Sequence, residues 1–204
     1  MRIFLSGGCK NGKSTLAQRL CACQGTRRAY VATMRPRDAE DEARIRRHQA
    51  EREGWGFETV ECATDIAALC GWLSGSASVL LDSVTALLAE EMFQRGGVDA
   101  GAPARVRDGL LRVADAFSDI VFVSDFLFSD ARRYDTLTEA YRRGLALCDR
   151  ALAARCDAVL EVSFGQWIAY KGGDGVAALL AKGGESAGNG AGAVHGPARV
   201  CELG

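Results

Sequence analysis

Gly7-Gly8-Cys9-Lys10-Asn11-Gly12-Lys13-Ser14 spells G-x-x-x-x-G-K-S, and Thr15 follows. Each defining residue has a task at a polyphosphate. Gly7 and Gly12 let the backbone turn tightly around a phosphate group. The N–H groups of the loop, together with the start of a following helix, supply partial positive charge. Lys13 can reach the β- and γ-phosphates, and the Ser14 hydroxyl can hold Mg²⁺. The chemistry implied is the binding of a nucleoside triphosphate, and the loop's backbone matters more there than the Cys9 thiol.

Such a loop works only between a strand and a helix. Arg2–Ser6 is a short apolar run, and Ser14–Cys23 has helical periodicity. Further strands are expected at Arg28–Thr33, Phe57–Cys62, Ser78–Asp82, Asp119–Ser124 and Asp157–Phe164. Helices are expected at Asp38–Glu53, Thr64–Leu73 (capped by Thr64), Ser83–Arg95, Arg105–Phe117 and Thr136–Arg155. Apolar strands alternating with helices predict an α/β fold of the P-loop NTPase kind, with a mainly parallel sheet flanked by helices. Gly96–Pro103 reads as a surface loop. Residues 1–172 are expected to form one catalytic domain. Residues 173–204, rich in Gly and Ala, are expected to form a flexible tail that contains His195.

Bulk properties exclude several classes. With 204 residues, 48% hydrophobic and 25% charged, the chain suits one soluble globular core. A formal net charge of −1 gives no general attraction to nucleic acid or to a membrane surface. No apolar run is long enough to span a bilayer, and no signal peptide precedes the first strand, so the cytoplasm is expected. The eight cysteines contain no C-x-x-C pair. That spacing favours small, reduced, mostly buried residues over a metal or redox centre.

Two further places bear on chemistry. Asp82 ends the run Val79-Leu80-Leu81, where a carboxylate can face the phosphate loop and hold Mg²⁺. It can equally cap the following helix. The segment Glu40–Glu53 is dense in both signs of charge and carries His48. A solvated helix with pairs such as Glu40 with Arg44 and Glu42 with Arg46 accounts for it. An imidazole is also a competent nucleophile or base.

Tyr30-Val31-Ala32-Thr33, the acidic helix start, Arg44-Ile45-x-x-His48, Arg52, Trp55 and Glu61 follow the phosphate loop in a specific order, and Val79–Asp82 comes after them. In these residues the chain resembles the bifunctional adenosylcobinamide kinase/adenosylcobinamide-phosphate guanylyltransferase family of late cobalamin assembly. The resemblance covers residues 1–95 well and continues weakly to about 172. It implies phosphoryl transfer from ATP or GTP to the aminopropanol hydroxyl of a corrinoid substrate, with Mg²⁺. It also implies capture of GMP from GTP on a histidine, here His48, and delivery to the new phosphate. Arg44, Arg46, Arg47 and Arg52 would offer donors for phosphate charge. Ala32, Thr33, Met34, Gln49, Ala50, Glu51, Arg52 and Glu61 would surround the guanine nucleotide. A homo-oligomer, a trimer by resemblance, is implied as well, with no nucleic-acid or membrane partner.

The chain departs from the family pattern in two segments. Ser124-Asp125-Phe126-Leu127-Phe128-Ser129-Asp130 stands where the family has Ser-Asn-Glu-Val-Gly, and Ala146-Leu147-Cys148-Asp149-Arg150 stands where it has Gly-x-x-Asn-Gln. Phe126 and Phe128 either pack on the last long helix or form an apolar wall for a ligand. Two other readings therefore stand beside the bifunctional one. One is a kinase for another small alcohol without the guanylyl step, and the other is a nucleotide-gated binding module. Keeping both Lys13 and Asp82 speaks against the module.

Overall fold

A computed structural model describes residues 1–93, 97–127 and 132–186, without the side chains of Arg44, Glu51 and 184–186. Seven strands form one sheet in the order β3-β2-β4-β5-β1-β6-β7. The strands are β1 Arg2–Gly7, β2 Arg28–Ala32, β3 Phe57–Glu61, β4 Ser78–Asp82, β5 Ile120–Asp125, β6 Ala158–Ser163 and β7 Gln166–Lys171. The first six are parallel, and β7 runs antiparallel to β6. Helices α1 Lys13–Gln24, α2 Ala39–Glu51, α3 Leu69–Trp72, α4 Val84–Met92, α5 Ala102–Ala116, α6 Thr136–Arg155 and α7 Gly173–Ser186 connect or flank them. The expected α/β architecture is borne out.

Strand alternation explains the two layers. Phe4, Val79, Leu81, Ile120 and Phe122 point into one core, against α4, α5 and α6. Ile3, Leu5, Leu80, Val121 and Val123 point into the other, against α1 and α7. Successive side chains on a strand face opposite sides, so a continuous apolar run is what a doubly covered parallel strand requires. Such a sheet fixes the carboxyl ends of β1, β4 and β5 side by side: Gly7 is in register with Asp125, and Asp82 with Val123.

Several expectations need correction. Residues 173–186 are not a flexible tail. They form α7, whose Val176 is fully buried and whose Leu179 and Leu180 pack on the core with it. A Cβ added at Gly183 would fall 2.0 Å from Cys23 Sγ, so α7 lies close on α1 because this residue is small. Residues 187–204, with His195, lie outside the described residues, as do Arg95, Gly96 and Phe128 to Asp130. The strand expected to end at Phe164 turns there and returns as β7. Thr64 caps nothing; a 3₁₀ turn at Ile66–Ala68 begins after Asp65, at φ 49°. The Gly-rich loop ends earlier than expected, because α5 begins at Ala102. No helix among the described residues is long and apolar enough to cross a membrane.

Removing the buried methyls of Val176 tests α7 directly. Val176→Ala should cost about 2 kcal/mol in urea unfolding. A mobile segment there would leave stability unchanged.

Candidate active site

β1 delivers the chain to the phosphate loop, and α1 carries it away. Lys10 and Gly12 adopt positive φ, 59° and 87°, and Gly12 is the residue from which α1 starts. Left-handed residues in such a turn build an anion-binding concavity. A Cβ at Gly7 would meet the carbonyl oxygen of Val162 at 2.3 Å, so β6 presses on the start of the loop and only glycine fits. Lys13 is buried. Its Nζ donates to the Gly8 carbonyl at 2.6 Å and pairs with Asp125 Oδ1 at 2.9 Å. The loop's charge is therefore met from within the fold.

Asp82 lies at the carboxyl end of β4, two strands from β1. Its Oδ2 accepts from Ser14 Oγ at 3.0 Å and from the Tyr30 hydroxyl at 3.2 Å. The cap of α4 is Ser83, whose hydroxyl accepts from Ala86 N at 3.2 Å. That removes the capping role left open for Asp82. Ser14 and Asp82 together present hard oxygen donors at one point of the phosphate loop, a donor set that suits Mg²⁺.

Beyond Asp82 a cavity of about 460 Å³ opens between β2, β3 and α2. Of the residues expected around a guanine nucleotide, Ala32, Thr33, Met34, Gln49, Arg52 and Glu61 line it, together with His48, Arg46 and Asp82. Ala50 does not; it faces an adjoining cleft that Gln49 and Arg52 also line. The Arg44 and Glu51 side chains fall outside the description, and Arg47 is exposed and absent from both linings. The loop residues themselves, Gly7 to Thr15, do not line this cavity. Asp82 is the point shared by the two parts.

Local forces hold the cavity's walls. α2 is capped by Asp38, whose carboxylate accepts from the N–H groups of Glu40 and Asp41 at 2.9 Å each. Glu40, Asp41 and Glu42 in the first turn complement the helix dipole. The expected Glu42–Arg46 pair forms at 3.3 Å on the exposed face and adds little stability. At the other end Arg52 is buried. Its guanidinium lies 3.5 Å over the Tyr30 ring and donates to the His48 carbonyl at 2.9 Å. This contact fixes the end of α2 that carries His48. Arg52 was expected as a donor to phosphate, but the structure engages it first as a clamp. Thr33 is fully buried, and its hydroxyl accepts from Ser83 N and donates to Ser83 O, both at 2.7 Å. That hydroxyl is spent on joining β2 to β4.

Sequence reasoning missed three participants. Asp125 appeared only as a departure from a pattern, yet it is the ion-pair partner of Lys13. Tyr30 entered through its motif, without a role. Asp149 on α6 is buried behind β5, with the Ser124 hydroxyl beside its carboxyl group. Burial pushes its pKa up to about 7. The Ser124 hydroxyl offsets part of that, and the Asp125 charge adds to it. Buried thiols behave alike: burial raises Cys21 and Cys62 to about 11, and Cys148 and Cys156 to about 12. Among the described residues no group of three or more His, Cys, Asp or Glu side chains gathers as a metal site.

The profile of the cobinamide kinase / cobinamide phosphate guanyltransferase family matches residues 3–169. The chain belongs to this family. The match spans the phosphate loop and the His48 cavity and reaches into β7, and the resemblance read from the sequence is borne out. A curated relative, the bifunctional adenosylcobalamin biosynthesis protein CobP of Pseudomonas aeruginosa, is 27% identical over 176 residues, covering 84% of this chain and 98% of its own length. Among solved structures, an ATPase from the type III secretion system of pathogenic bacteria aligns with a TM-score of 0.50 at 13% identity. It covers 90% of this chain, and the chain spans 61% of that protein. It supports the P-loop fold. The RadB recombinase aligns with a TM-score of 0.43 at 21% identity, over 78% of this chain and 73% of its own.

Buried Asp149 makes the stability of this fold depend on pH. Its folded pKa, about 7, lies above the ordinary value of 3.8. Below pH 4 the carboxyl is protonated in both states and contributes nothing. As pH rises from about 4 to about 7 the unfolded chain ionises first, so stability falls. Asp149→Asn should abolish this fall and exceed the native protein at pH 8 by on the order of 4 kcal/mol in urea unfolding. Parallel pH profiles for the two proteins would contradict the assignment.

Proposed function

We propose that this chain carries out both reactions of its family on a corrinoid substrate, phosphorylating adenosylcobinamide and then converting the product to adenosylcobinamide-GDP. The observation that carries the reading is the single cavity holding His48, Met34, Gln49 and Glu61, with Asp82 at its edge bonded to Ser14 of the phosphate loop.

In the first reaction the triphosphate of ATP or GTP replaces Asp125 as the partner of Lys13. Lys13 and the loop N–H groups then hold the β- and γ-phosphates in line with the aminopropanol hydroxyl. The hydroxyl oxygen bonds to the γ-phosphorus and gives up its proton to solvent, the bridging bond to the β-phosphate breaks, and the nucleoside diphosphate leaves. Mg²⁺ would be held by Ser14 and Asp82, where it supplies charge neutralisation at the phosphates.

In the second reaction the phosphates of GTP lie in the same loop while its guanine enters the His48 cavity. An imidazole nitrogen of His48 forms a bond to the α-phosphorus, and the α–β bridge breaks to release pyrophosphate. The phosphate of the first product then attacks that phosphorus, the P–N bond breaks, and His48 is regenerated. Arg46 offers a donor to developing phosphate charge from the cavity wall. Arg52 keeps the His48 backbone in place.

Two substitutions separate the steps. Incubation with α-labelled GTP and Mg²⁺ should leave an acid-labile, base-stable label on the native protein, absent from His48→Ala. Lys13→Ala should slow both reactions by at least a hundredfold. A second reading, a kinase for another alcohol without the guanylyl step, draws on the altered segment around Asp125 and Phe126. It requires a native protein that takes no label yet retains Lys13-dependent phosphoryl transfer. Near-normal turnover in Lys13→Ala would contradict both readings.

A further inference from the structure

β6 and β7 are joined by two residues, Phe164 and Gly165, with Ser163 and Gln166 paired across the turn. Both linking residues have positive φ, 53° and 72°, the pattern of a type I′ turn. Glycine takes this conformation freely, and Asn or Asp tolerates it at the first position. Phenylalanine is among the residues least suited to it. Packing does not compensate, because the Phe164 side chain is 93% exposed. The turn therefore holds an aromatic ring in water at a conformational cost. A local rule broken without structural gain marks a functional position.

The turn's neighbour supplies the function. A Cβ added at Gly12 would come 4.0 Å from Gly165 Cα, so the hairpin tip stands beside the phosphate loop. The hairpin is firmly based: Val162 and Ala169 are buried in the core, and Trp167 packs on it. It rises on the β6 side of β1, whereas the His48 cavity opens on the β4 and β2 side. The phosphate loop therefore has different surroundings on its two sides, the hairpin tip on one and the His48 cavity on the other.

We propose that Phe164 is the stacking platform for the base of the phosphoryl-donor nucleotide, giving one phosphate loop two base positions. This rests on the reading of Gly7–Ser14 as the triphosphate site. In phosphoryl transfer the base lies on Phe164, and in guanylylation the guanine lies in the His48 cavity. Stacking on an aromatic face accepts any base, since every base presents a π-face. The donor position is therefore tolerant of adenine or guanine, while the walled His48 cavity can discriminate.

Equilibrium titrations of the full chain with a non-hydrolysable ATP analogue and with inorganic tripolyphosphate test this. Phe164→Asn suits the turn, so its melting temperature should equal or exceed that of the native protein. It should raise Kd for the ATP analogue about tenfold, the size of one lost base–aromatic stack, and leave tripolyphosphate affinity unchanged. In Phe164→Trp, indole fluorescence should change on adding the analogue and not on adding tripolyphosphate. Unchanged analogue affinity in Phe164→Asn, with binding still lost in Lys13→Ala, overturns the platform and leaves the phosphate loop assigned. Equal weakening of analogue and tripolyphosphate also overturns it, as does a smaller sedimenting mass with unchanged Kd, which would place the ring against a second copy. Native protein that binds neither ligand removes the phosphate-loop reading itself.

Discussion

The Asp82 carboxylate accepts two hydrogen bonds from two different parts of the site, and the architecture depends on that junction. One comes from Ser14, at the mouth of the phosphate loop. The other comes from Tyr30, whose ring lies under the guanidinium of Arg52. Arg52 in turn holds the carbonyl of His48. A chain of direct contacts therefore runs from the phosphate loop to the backbone of His48, the proposed nucleophile. Each contact is a charge-assisted hydrogen bond or a cation–π pair sheltered from water, where such interactions are stronger and better aimed than at the surface.

The sheet makes that junction possible. β4 and β1 are not neighbours; β5 lies between them. Asp82 reaches Ser14 because the parallel strands end together, with their apolar faces fixed in two cores. The same arrangement brings Asp125 to Lys13 from the end of β5. The phosphate loop is then flanked by carboxylates on two adjacent strands. One suits a cation, and the other pairs with Lys13. Buried Asp149 sits behind this pair, and burial disfavours its charge.

Much of this was legible in the sequence because it depends on local pattern. The loop's spacing, the alternating apolar strands and the acidic start of α2 each carry a period or a cap that reads directly. His48 was legible only through a family motif; its own surroundings look like an ordinary charged helix. What escaped depends on tertiary contact. α7 does carry apolar residues at helical spacing, Val176, Leu179 and Leu180, but its glycines read as a breaker, each costing a helix about 1 kcal/mol relative to Ala. One of them, Gly183, instead permits close approach to α1. β7 escaped because Phe-Gly is not a usual hairpin pair. The Lys13–Asp125 pair joins residues more than a hundred positions apart, and no local rule connects them.

The central claim is that the triphosphate held by Lys13 and Ser14 lies close to the His48 imidazole. The chain has two histidines, His48 and His195. Its imidazole NMR signals are therefore few, and His48→Gln assigns them. Mn²⁺ in place of Mg²⁺, added with GTP, broadens signals from nuclei near the bound metal. The account requires the His48 resonances to broaden strongly in the native protein and to stay sharp in Lys13→Ala. Sharp His48 resonances in native protein that demonstrably binds Mn²⁺ and GTP would contradict it.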